Sequence, residues 1–338
     1  MFSKTINIKT DSYLTMNYFK LPFLSSLYLH KYIFHCSAIE KILLAKYKGS
    51  IIRGSFGKTL KNIVCINRKA SRCKNCKNRE ECLYVYIFDT MPVANDPNSR
   101  KYATPPRPFI ILPPLTKKTT YEKHEPLSFE VTLFGKSNKH LPYFIKTFEE
   151  MGKNGIGDNN GRFKIKGIDL VMPNGDIEDF ISLINNNSNT SSSSSRIDLN
   201  SIKPFFPKFT DNKISVSFET PLRYESKGKL IKTSPTFDTI IEGLLRRIFL
   251  LSYFHCGENS SMPDINIKKE VLIKKNYLKW VDIARYSFRK KKELPTGGLM
   301  GTIIYQGNIS PYLKILKLGE YLHLGKYTVF GNGKYRIF

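Results

Sequence analysis

The stretch "INNNSNTSSSSSR", residues 184–196, divides this 338-residue chain into two halves. After Ile184 it contains only polar side chains, so it has almost nothing to bury and is typical of a flexible linker. The segments on either side are each long enough to form a domain. We therefore predict an N-terminal domain over 1–185, a linker over 186–200 and a C-terminal domain over 201–338.

Strand and helix patterns follow the same order in both halves. "GSIIRGSFGKTLKNIV" (49–64) and "TFDTIIEGLLRRIFLLSYFH" (236–255) place apolar residues at helical spacing. Strand patterns lie at 26–44, 126–135, 161–172, 213–224, 278–288 and 298–307, a further helix pattern lies at 141–152, and 310–327 reads as a short helix followed by a strand. This order predicts an α+β fold of two tandem ferredoxin-like (RRM-like) domains, with a small cysteine-rich insertion in the first.

The composition is strongly basic. Lys and Arg number 54 against 28 Asp and Glu, a net charge of +26 that the two halves share equally. Such a charge indicates a polyanionic partner, with generic solubility as the alternative. Runs of about 18 apolar residues, which a transmembrane helix needs, are missing. The first residues, "MFSKTINIKTDS", lack the apolar core of a signal peptide, so we expect a cytoplasmic protein without a membrane partner.

Four of the six cysteines lie close together, at Cys65, Cys73, Cys76 and Cys82. Four thiolates suit a tetrahedral zinc ion, and the neighbouring Lys and Arg side chains favour the thiolate form. We predict a structural zinc ion and no catalytic metal. An iron–sulfur cluster and unligated or disulfide-bonded cysteines are the alternatives, while Cys36 and Cys256 are expected in the cores.

A basic segment, "ARYSFRKKKELPTGG" (284–298), interleaves cations with aromatic residues. In a strand, Arg285 would face one side and Tyr286 the other. Cations contact phosphates and aromatic rings stack on unpaired bases, so we predict RNA contacts from Arg285, Arg289 and Lys290. A solvated hairpin tip is the alternative.

The C-terminal stretch, "GKYTVFGNGKYRIF" (325–338), is rich in glycine and cations. Glycine permits positive φ and close backbone approach, so main-chain N–H groups can converge on an anion. We predict a phosphate cradle, with a plain turn as the alternative. Its predicted RNA-binding residues are Gly325, Lys326, Gly331, Gly333 and Lys334.

Several short motifs resemble, in their order and spacing, the CRISPR-associated endoribonucleases of the repeat-associated mysterious protein (RAMP) superfamily. They are "GSIIRGSFGKTL", the four cysteines with "CLYVYIFDT", "FETPLRY", "LLRRIFLLSYFH", "GGLMGTIIYQG" and "LHLGKYTVFGNGKYRI". The resemblance is to the subgroup with an N-terminal four-cysteine cluster. It implies two ferredoxin-like domains, a glycine-rich loop that contacts RNA, and metal-independent cleavage of precursor CRISPR RNA that leaves a 2′,3′-cyclic phosphate and a 5′ hydroxyl. It also implies repeat RNA and a CRISPR effector complex as partners.

The catalytic residues are harder to assign, because "RGSFGKTLKN" (53–62) lacks the histidine that many members carry near the first helix. The reaction needs a base, an acid and cations that stabilise the phosphorane. His323 lies two residues before Gly325, so we predict that it transfers protons, with an unperturbed pKa. His35 is the second candidate, and the residues expected to supply orientation and charge are Tyr47, Arg53 and Lys58.

Two other functions fit the same residues. A non-catalytic RNA-binding subunit of a CRISPR effector complex would share the fold and the basic surface. A zinc-dependent DNA-binding regulator has less support, because no helix-turn-helix pattern is found.

Overall fold

The computed structural model describes residues 21–67, 72–92, 102, 104–180, 195–202, 212–226, 228–263, 267, 270–287 and 292–338. Two five-stranded sheets account for most strands in these ranges, and each belongs to one half of the chain.

The first sheet is built around a strand whose alternate residues are buried. The elements of this half are α1 (Pro22–Ser26), β1 (Leu29–Ala38), β2 (Ile42–Leu43), α2 (Lys48–Val64), α3 (Leu83–Ile87), β3 (Phe109–Leu112), β4 (Thr120–Tyr121), β5 (Pro126–Phe134), α4 (Leu141–Asn154), β6 (Phe163–Val171) and β7 (Ile177–Asp179). The antiparallel order is β3-β5-β1-β6-β7. Helices α2 and α4 cover one face, where Phe56 and Phe148 pack ring against ring at 5.0 Å.

The second half repeats this arrangement. Its elements are β8 (Lys213–Leu222), β9 (Tyr224–Ser226), β10 (Lys229–Ile231), α5 (Phe237–His255), β11 (Leu272–Asn276), β12 (Lys279–Val281), β13 (Ala284–Ser287), β14 (Lys292–Pro295), β15 (Gly298–Gln306), α6 (Leu313–Leu322) and β16 (Tyr335–Ile337). The main sheet has the order β11-β15-β8-β16, with β12 also paired to β15. In the first half β1 lies between β5 and β6, and in the second half β8 lies between β15 and β16. The first strand of each sheet thus has the same central place, and the predicted tandem ferredoxin-like fold is confirmed.

The two halves share one hydrophobic core cluster. Leu29, Ile110 and Phe134 of the first half are fully or almost fully buried among the apolar residues of α5 and β8. The described end of the predicted linker joins them, since Ile197 is fully buried and bonds to Leu29 through both backbone groups at 2.9 Å. Residues 181–194 lie outside the described ranges. The described residues 195–202 thus include a part that is packed against the protein at Ile197.

One predicted strand is divided in two. The pattern over 278–288 predicts a single strand, but β12 pairs with β15 while β13 pairs with β14 in a separate hairpin. The Ile283 carbonyl accepts hydrogen bonds from the N–H groups of Thr296 and Gly297, at 2.7 and 3.0 Å. These bonds turn the chain, so the β13–β14 hairpin leaves the main sheet.

The predicted strand after α6 is also wrong. Residues 323–334 form turns, because His323 and Gly325 have φ of 57° and 85°, which extended strands do not adopt. The last strand is β16, which pairs with β8. Among the described residues, no helix is long and apolar enough to cross a membrane.

Candidate functional site

Helix α2 presents Gly49, Arg53 and Gly57 on one face, because residues four apart along a helix are neighbours. A Cβ on Gly49 would lie 2.2 Å from the Phe330 carbonyl oxygen, and one on Gly57 would lie 1.9 Å from the Phe88 ring. Only glycine permits these approaches. Two aromatic residues, one from each half of the chain, therefore contact the helix before and after Arg53.

The Arg53 guanidinium packs against both rings. Its central carbon lies 4.0 Å from the centre of the Phe88 ring and 4.7 Å from that of Phe330. Burial, with the nearby Arg107 and Arg285 charges, lowers the pKa of Arg53 to about 9, so the group is still charged at neutral pH. Its Nε is buried and has no hydrogen-bond partner among the described residues. Such a cation is suited to bind an anion at its edge.

A second arginine reaches the same ring from the C-terminal domain. Arg285 on β13 lies 4.7 Å from the Phe330 ring centre, and its Nε is likewise buried without a partner in the described ranges. The carboxylate that raises the pKa of Arg53, Asp89, is already paired with Arg107 at 3.9 Å. We call Tyr47, Arg53, Arg285 and Phe330 the seam site, because they come from both domains.

Tyr47 immediately precedes α2 and belongs to the same cluster. Its hydroxyl donates a short hydrogen bond to the side-chain oxygen of Asn332. Burial raises the pKa of Tyr47 above its usual range, and the Arg285 charge opposes this rise. The phenol therefore keeps its proton at neutral pH and acts as a donor.

Asn332 connects the seam site to the end of α6. It is fully buried, and its amide nitrogen donates to the Thr296 carbonyl at 3.1 Å. Its own carbonyl accepts a hydrogen bond from Nδ1 of His323 at 3.1 Å. We call His323, Asn332 and Lys334 the terminal cap.

His323 differs from the sequence expectation. Its side chain is buried, with 3% of the residue exposed, and it ends α6 with a positive φ. Burial, with the Lys334 and Arg247 charges, holds the pKa of His323 well below its usual range. The imidazole is therefore neutral and bonded inside the protein, and it is not the unperturbed titrating group that the sequence predicted.

The two terminal lysines also have internal partners. The Lys334 ammonium donates to the Glu320 carbonyl at 3.0 Å, and burial lowers the pKa of Lys334 to about 8. Lys326 forms an ion pair with Glu225. Contacts between these lysines and RNA stay predictions.

The three terminal glycines have φ of 85° at Gly325, 87° at Gly331 and 71° at Gly333, all in the left-handed region. A Cβ on Gly331 would lie 2.8 Å from Pro113 and 2.9 Å from Leu112, so the loop packs directly on the N-terminal domain. The N–H groups of Gly331 and Gly333 donate to the Thr328 and Pro221 carbonyls, at 2.8 and 3.0 Å. Gly331 therefore contacts the N-terminal half, and the predicted contact of the three glycines with phosphate is untested.

The remaining candidates lie elsewhere or outside the described ranges. His35 is on β1, where its Nε2 lies 2.7 Å from Oδ2 of Asp169, and alternation places it on the sheet face opposite the buried Phe34. Lys58 is exposed on α2. The described contacts join neither residue to the seam site. Arg289 and Lys290 are not among the described residues.

The predicted zinc site of the cysteine-rich insertion stays a prediction. In the described ranges, no group of three or more His, Cys, Asp or Glu side chains is placed to hold a metal ion. Cys65, Cys73, Cys76 and Cys82 are free, partly exposed thiols, and burial raises the pKa of Cys73. Phe88, which contacts Arg53, follows the insertion and helix α3.

Sequence reasoning missed Phe330 of the seam site and two residues that contact its side chains, Phe88 and Asn332. Each lies far along the chain from α2, so no local pattern connects them to it. One signal was present, the spacing Gly49-x3-Arg53-x3-Gly57, which puts an arginine between two positions that accept close neighbours.

Comparison with known proteins gives one family-model match in each half of the chain. The family model AF_1859_N, an N-terminal domain, matches residues 25–195, just over half of the chain. The family model for the CRISPR-associated endoribonuclease Cas6 matches residues 216–335. A search of curated proteins gives no match.

Solved structures share the fold. A partial Cas6-RT-Cas1–Cas2 complex matches with a TM-score of 0.52 at 11% identity, over 92% of this chain and 46% of that chain. The Cas6-RT-Cas1–Cas2 complex gives the same score and identity, over 92% of this chain and 29% of that one. A Cas6 product complex matches at 13% identity, over 92% and 99% of the two chains, with a TM-score of 0.48. The C-terminal half is similar to the CRISPR-associated endoribonuclease Cas6 over residues 216–335, and the chain belongs to the AF_1859_N family.

Proposed function

We propose that this protein cleaves CRISPR repeat RNA, the precursor crRNA, at the seam site without a metal ion. The observation that carries the proposal is the Cas6 endoribonuclease domain over residues 216–335. Arg285 and Phe330 of the seam site lie inside that range, and α2 of the other domain completes the cluster.

In the proposed reaction the 2′ oxygen attacks the adjacent phosphorus, and the bond from phosphorus to the 5′ oxygen breaks. One proton leaves the 2′ hydroxyl and one is taken up by the 5′ oxygen, which gives a 2′,3′-cyclic phosphate and a 5′ hydroxyl. Negative charge grows on the non-bridging oxygens. Arg53 and Arg285 would stabilise this charge, because fixed, partly buried cations act more strongly than cations in bulk water.

The proton-transfer roles follow from burial. The raised pKa of Tyr47 keeps its phenol protonated, so Tyr47 would donate to the leaving 5′ oxygen in place of its present acceptor, Asn332. His323 has a lowered pKa and a bond to Asn332, which suits a positioning residue that holds the partner of Tyr47. The base that accepts the 2′ proton stays unassigned, because His35, the second candidate, is paired with Asp169 and has no described contact with the seam site.

A second function is favoured by one observation. The described contacts of Tyr47, Arg53 and Arg285 include no histidine. A non-catalytic RNA-binding subunit needs none, so that alternative keeps the same seam site as a binding surface. The similar solved structures include Cas6 joined with RT, Cas1 and Cas2, and we propose that this chain also works within a larger CRISPR assembly.

Structural zinc and a cytoplasmic location complete the sequence-based expectations, and neither is needed for the proposed reaction. Metal analysis of anaerobically purified protein tests the first. A stoichiometry near one zinc per chain would confirm it, and a value near zero would overturn it.

The function is tested by single-turnover cleavage of repeat RNA from the same genome, with and without a chelator. The proposal expects one cut, an unchanged rate in chelator, and a 3′ end that cannot be ligated through a 3′ hydroxyl until the cyclic phosphate has been opened and the phosphate removed. Tight binding without cleavage would support the binding subunit instead. Cleavage that the chelator abolishes would contradict metal independence.

A further inference from the structure

A cavity of about 810 Å³ lies in the N-terminal domain, between the start of β1 and the start of α4. Its volume falls within the range of small-molecule sites, roughly 300–1,000 Å³. None of the residues that line it belongs to the seam site or the terminal cap. The cavity is therefore a separate feature that the proposed cleavage does not use.

One wall of the cavity is aromatic. Tyr28, His30, Tyr32 and Phe180 all line it. The rings of His30 and Tyr32 are stacked with centres 6.5 Å apart, and Tyr32 meets Phe180 edge-on at 5.3 Å. Tyr32 is also fixed by the hydrogen bond from its hydroxyl to Asn138, at 2.6 Å. Rings held in this way offer a platform for a planar ligand.

His30 has unused hydrogen-bonding capacity at this wall. The residue is only 1% exposed, yet neither ring nitrogen has a partner in the described ranges. Burial and the Arg196 charge lower the pKa of His30 to about 4, so the neutral ring has one donor and one acceptor. Buried polar groups are usually paired, and the edge of a nucleobase supplies both partners.

The rim of the cavity is cationic. The Arg196 guanidinium lies over the Tyr28 ring at 4.4 Å, and its Nε is buried without a partner among the described residues. Lys136 and Lys139 are exposed at the same rim, and Lys146 is already paired with Glu150 at 3.2 Å. Helix α4 begins here without an acidic residue in its first turn, so its partial positive charge adds to theirs.

We propose that this cavity binds a nucleotide, with the base against the aromatic wall and His30 and the phosphate at Lys136, Lys139 and Arg196. The aromatic wall, the unpaired imidazole and the cationic rim each match one part of that ligand. The nucleotide has two possible sources, a free mononucleotide and an unpaired nucleotide of a bound RNA strand.

Isothermal titration of the full chain with the four ribonucleoside 5′-monophosphates tests the site. Inorganic phosphate and the matching nucleosides are titrated in parallel. At least one monophosphate should bind, and the nucleoside and phosphate alone should bind at least tenfold more weakly, because each lacks one set of contacts.

Two variants and a control locate the site. The double change Lys136→Ala and Lys139→Ala should weaken monophosphate binding about tenfold, or about 1.4 kcal/mol. The control changes Lys123→Ala and Lys164→Ala remove the same charge at the far end of β1, and should leave binding within twofold. His30→Phe keeps an aromatic ring and removes both nitrogens, so it should weaken binding while the pocket lysines are intact.

A short single-stranded RNA distinguishes the two sources. One outcome is that RNA binds and no monophosphate does. If the pocket lysine variant then weakens RNA binding and the control double variant does not, the site takes a nucleotide within a strand. The inference is overturned if no monophosphate binds and RNA binds both double variants equally. Repeat-RNA cleavage, measured on the same proteins, reports separately on the proposed function.

Discussion

The seam site and the terminal cap lie side by side, and the basic side chains of the two regions are bonded differently. In the seam site, Arg53 and Arg285 pack against Phe330 and keep buried donors without partners in the described chain. In the terminal cap, Lys334 and His323 are bonded to backbone carbonyls. A net charge of +26 therefore does not tell which cations are available to a ligand.

The difference follows from the chemistry of the side chains. A guanidinium is planar and weakly hydrated, so its faces can be covered by rings while its edge stays able to donate. An ammonium is strongly hydrated, and burial favours its neutral form unless a partner compensates. The lowered pKa of Lys334, about 8, and its bond to Glu320 show the second case.

The largest expected effect separates the two regions directly. Arg53→Met keeps a long side chain between the rings but removes the charge. If Arg53 stabilises the phosphorane, single-turnover cleavage should slow by about 10²–10³-fold, the usual loss for one fixed donor. Arg162→Met removes an arginine that pairs with Glu40 on the surface, and its rate should stay within twofold of wild type. Equal rates in both variants would contradict a role for Arg53.

Buried neutral histidines should make the fold sensitive to acid. The pKa values of His30 and His255 are lowered to about 4, and that of His323 is also lowered. The unfolded chain binds these protons first, so stability is full above pH about 6.5 and is lost as the pH falls towards 4. The lowered pKa of His30 and that of His255 should each reduce the free energy of unfolding by about 2 kcal/mol at pH 5.

Urea unfolding at pH 7 and pH 5 measures this loss. His30→Phe should remove the part of this loss that comes from His30, so the free energy of unfolding should depend less steeply on pH. If the free energy of unfolding of His30→Phe falls between pH 7 and pH 5 by as much as that of wild type, His30 is accessible to protons in the folded protein.

The contact between the terminal loop and the N-terminal domain can be weakened at one glycine. Gly331→Ala introduces a Cβ at positive φ and within 3 Å of Leu112 and Pro113, so it should lower the free energy of unfolding by about 1–3 kcal/mol. Gly54→Ala is the matched control, since its Cβ meets open space on helix α2, and it should raise stability by about 0.5–1 kcal/mol. A neutral Gly331→Ala variant would mean that the loop does not depend on this contact.

The smallest expected effect concerns RNA affinity. Arg285→Met should reduce the slope of log affinity against log salt by about 1, because one phosphate contact no longer releases counterions. Lys326→Met removes a cation that is already paired with Glu225 and should change the slope less. Slopes are measured by titrating uncleavable repeat RNA at several salt concentrations. A larger change at Lys326 would favour the terminal turn as the binding region.

Much of the fold was predictable because its signals are local. The apolar spacing of α2 and α5 and the alternation of β1 and β8 depend only on nearby residues. The division at Ile283 was not predictable, because it depends on hydrogen bonds from Thr296 and Gly297. The turns after α6 depend in the same way on the Pro221 carbonyl, which bonds to Gly333.

The site was predictable only in part. Tyr47, Arg53 and Arg285 were singled out, and the structure brings them together. Phe330 and Asn332 were not, because their roles depend on packing against a helix that begins 282 residues before Phe330. Proximity in sequence to the glycines also suggested an accessible His323, whereas the tertiary fold buries it.

The central claim is that the seam site carries the chemistry and the terminal cap positions it, and His323→Asn tests this most directly. Asparagine tolerates positive φ and keeps a donor near the position of Nδ1, but it cannot transfer protons. We predict a single-turnover cleavage rate within about fivefold of wild type, because His323 only positions Asn332 in this account. If His323 were a general acid or base, the loss would be roughly 10²–10⁴-fold. A loss of that full size, with unchanged RNA affinity and unfolding free energy, would contradict the account and make His323 the proton-transfer group.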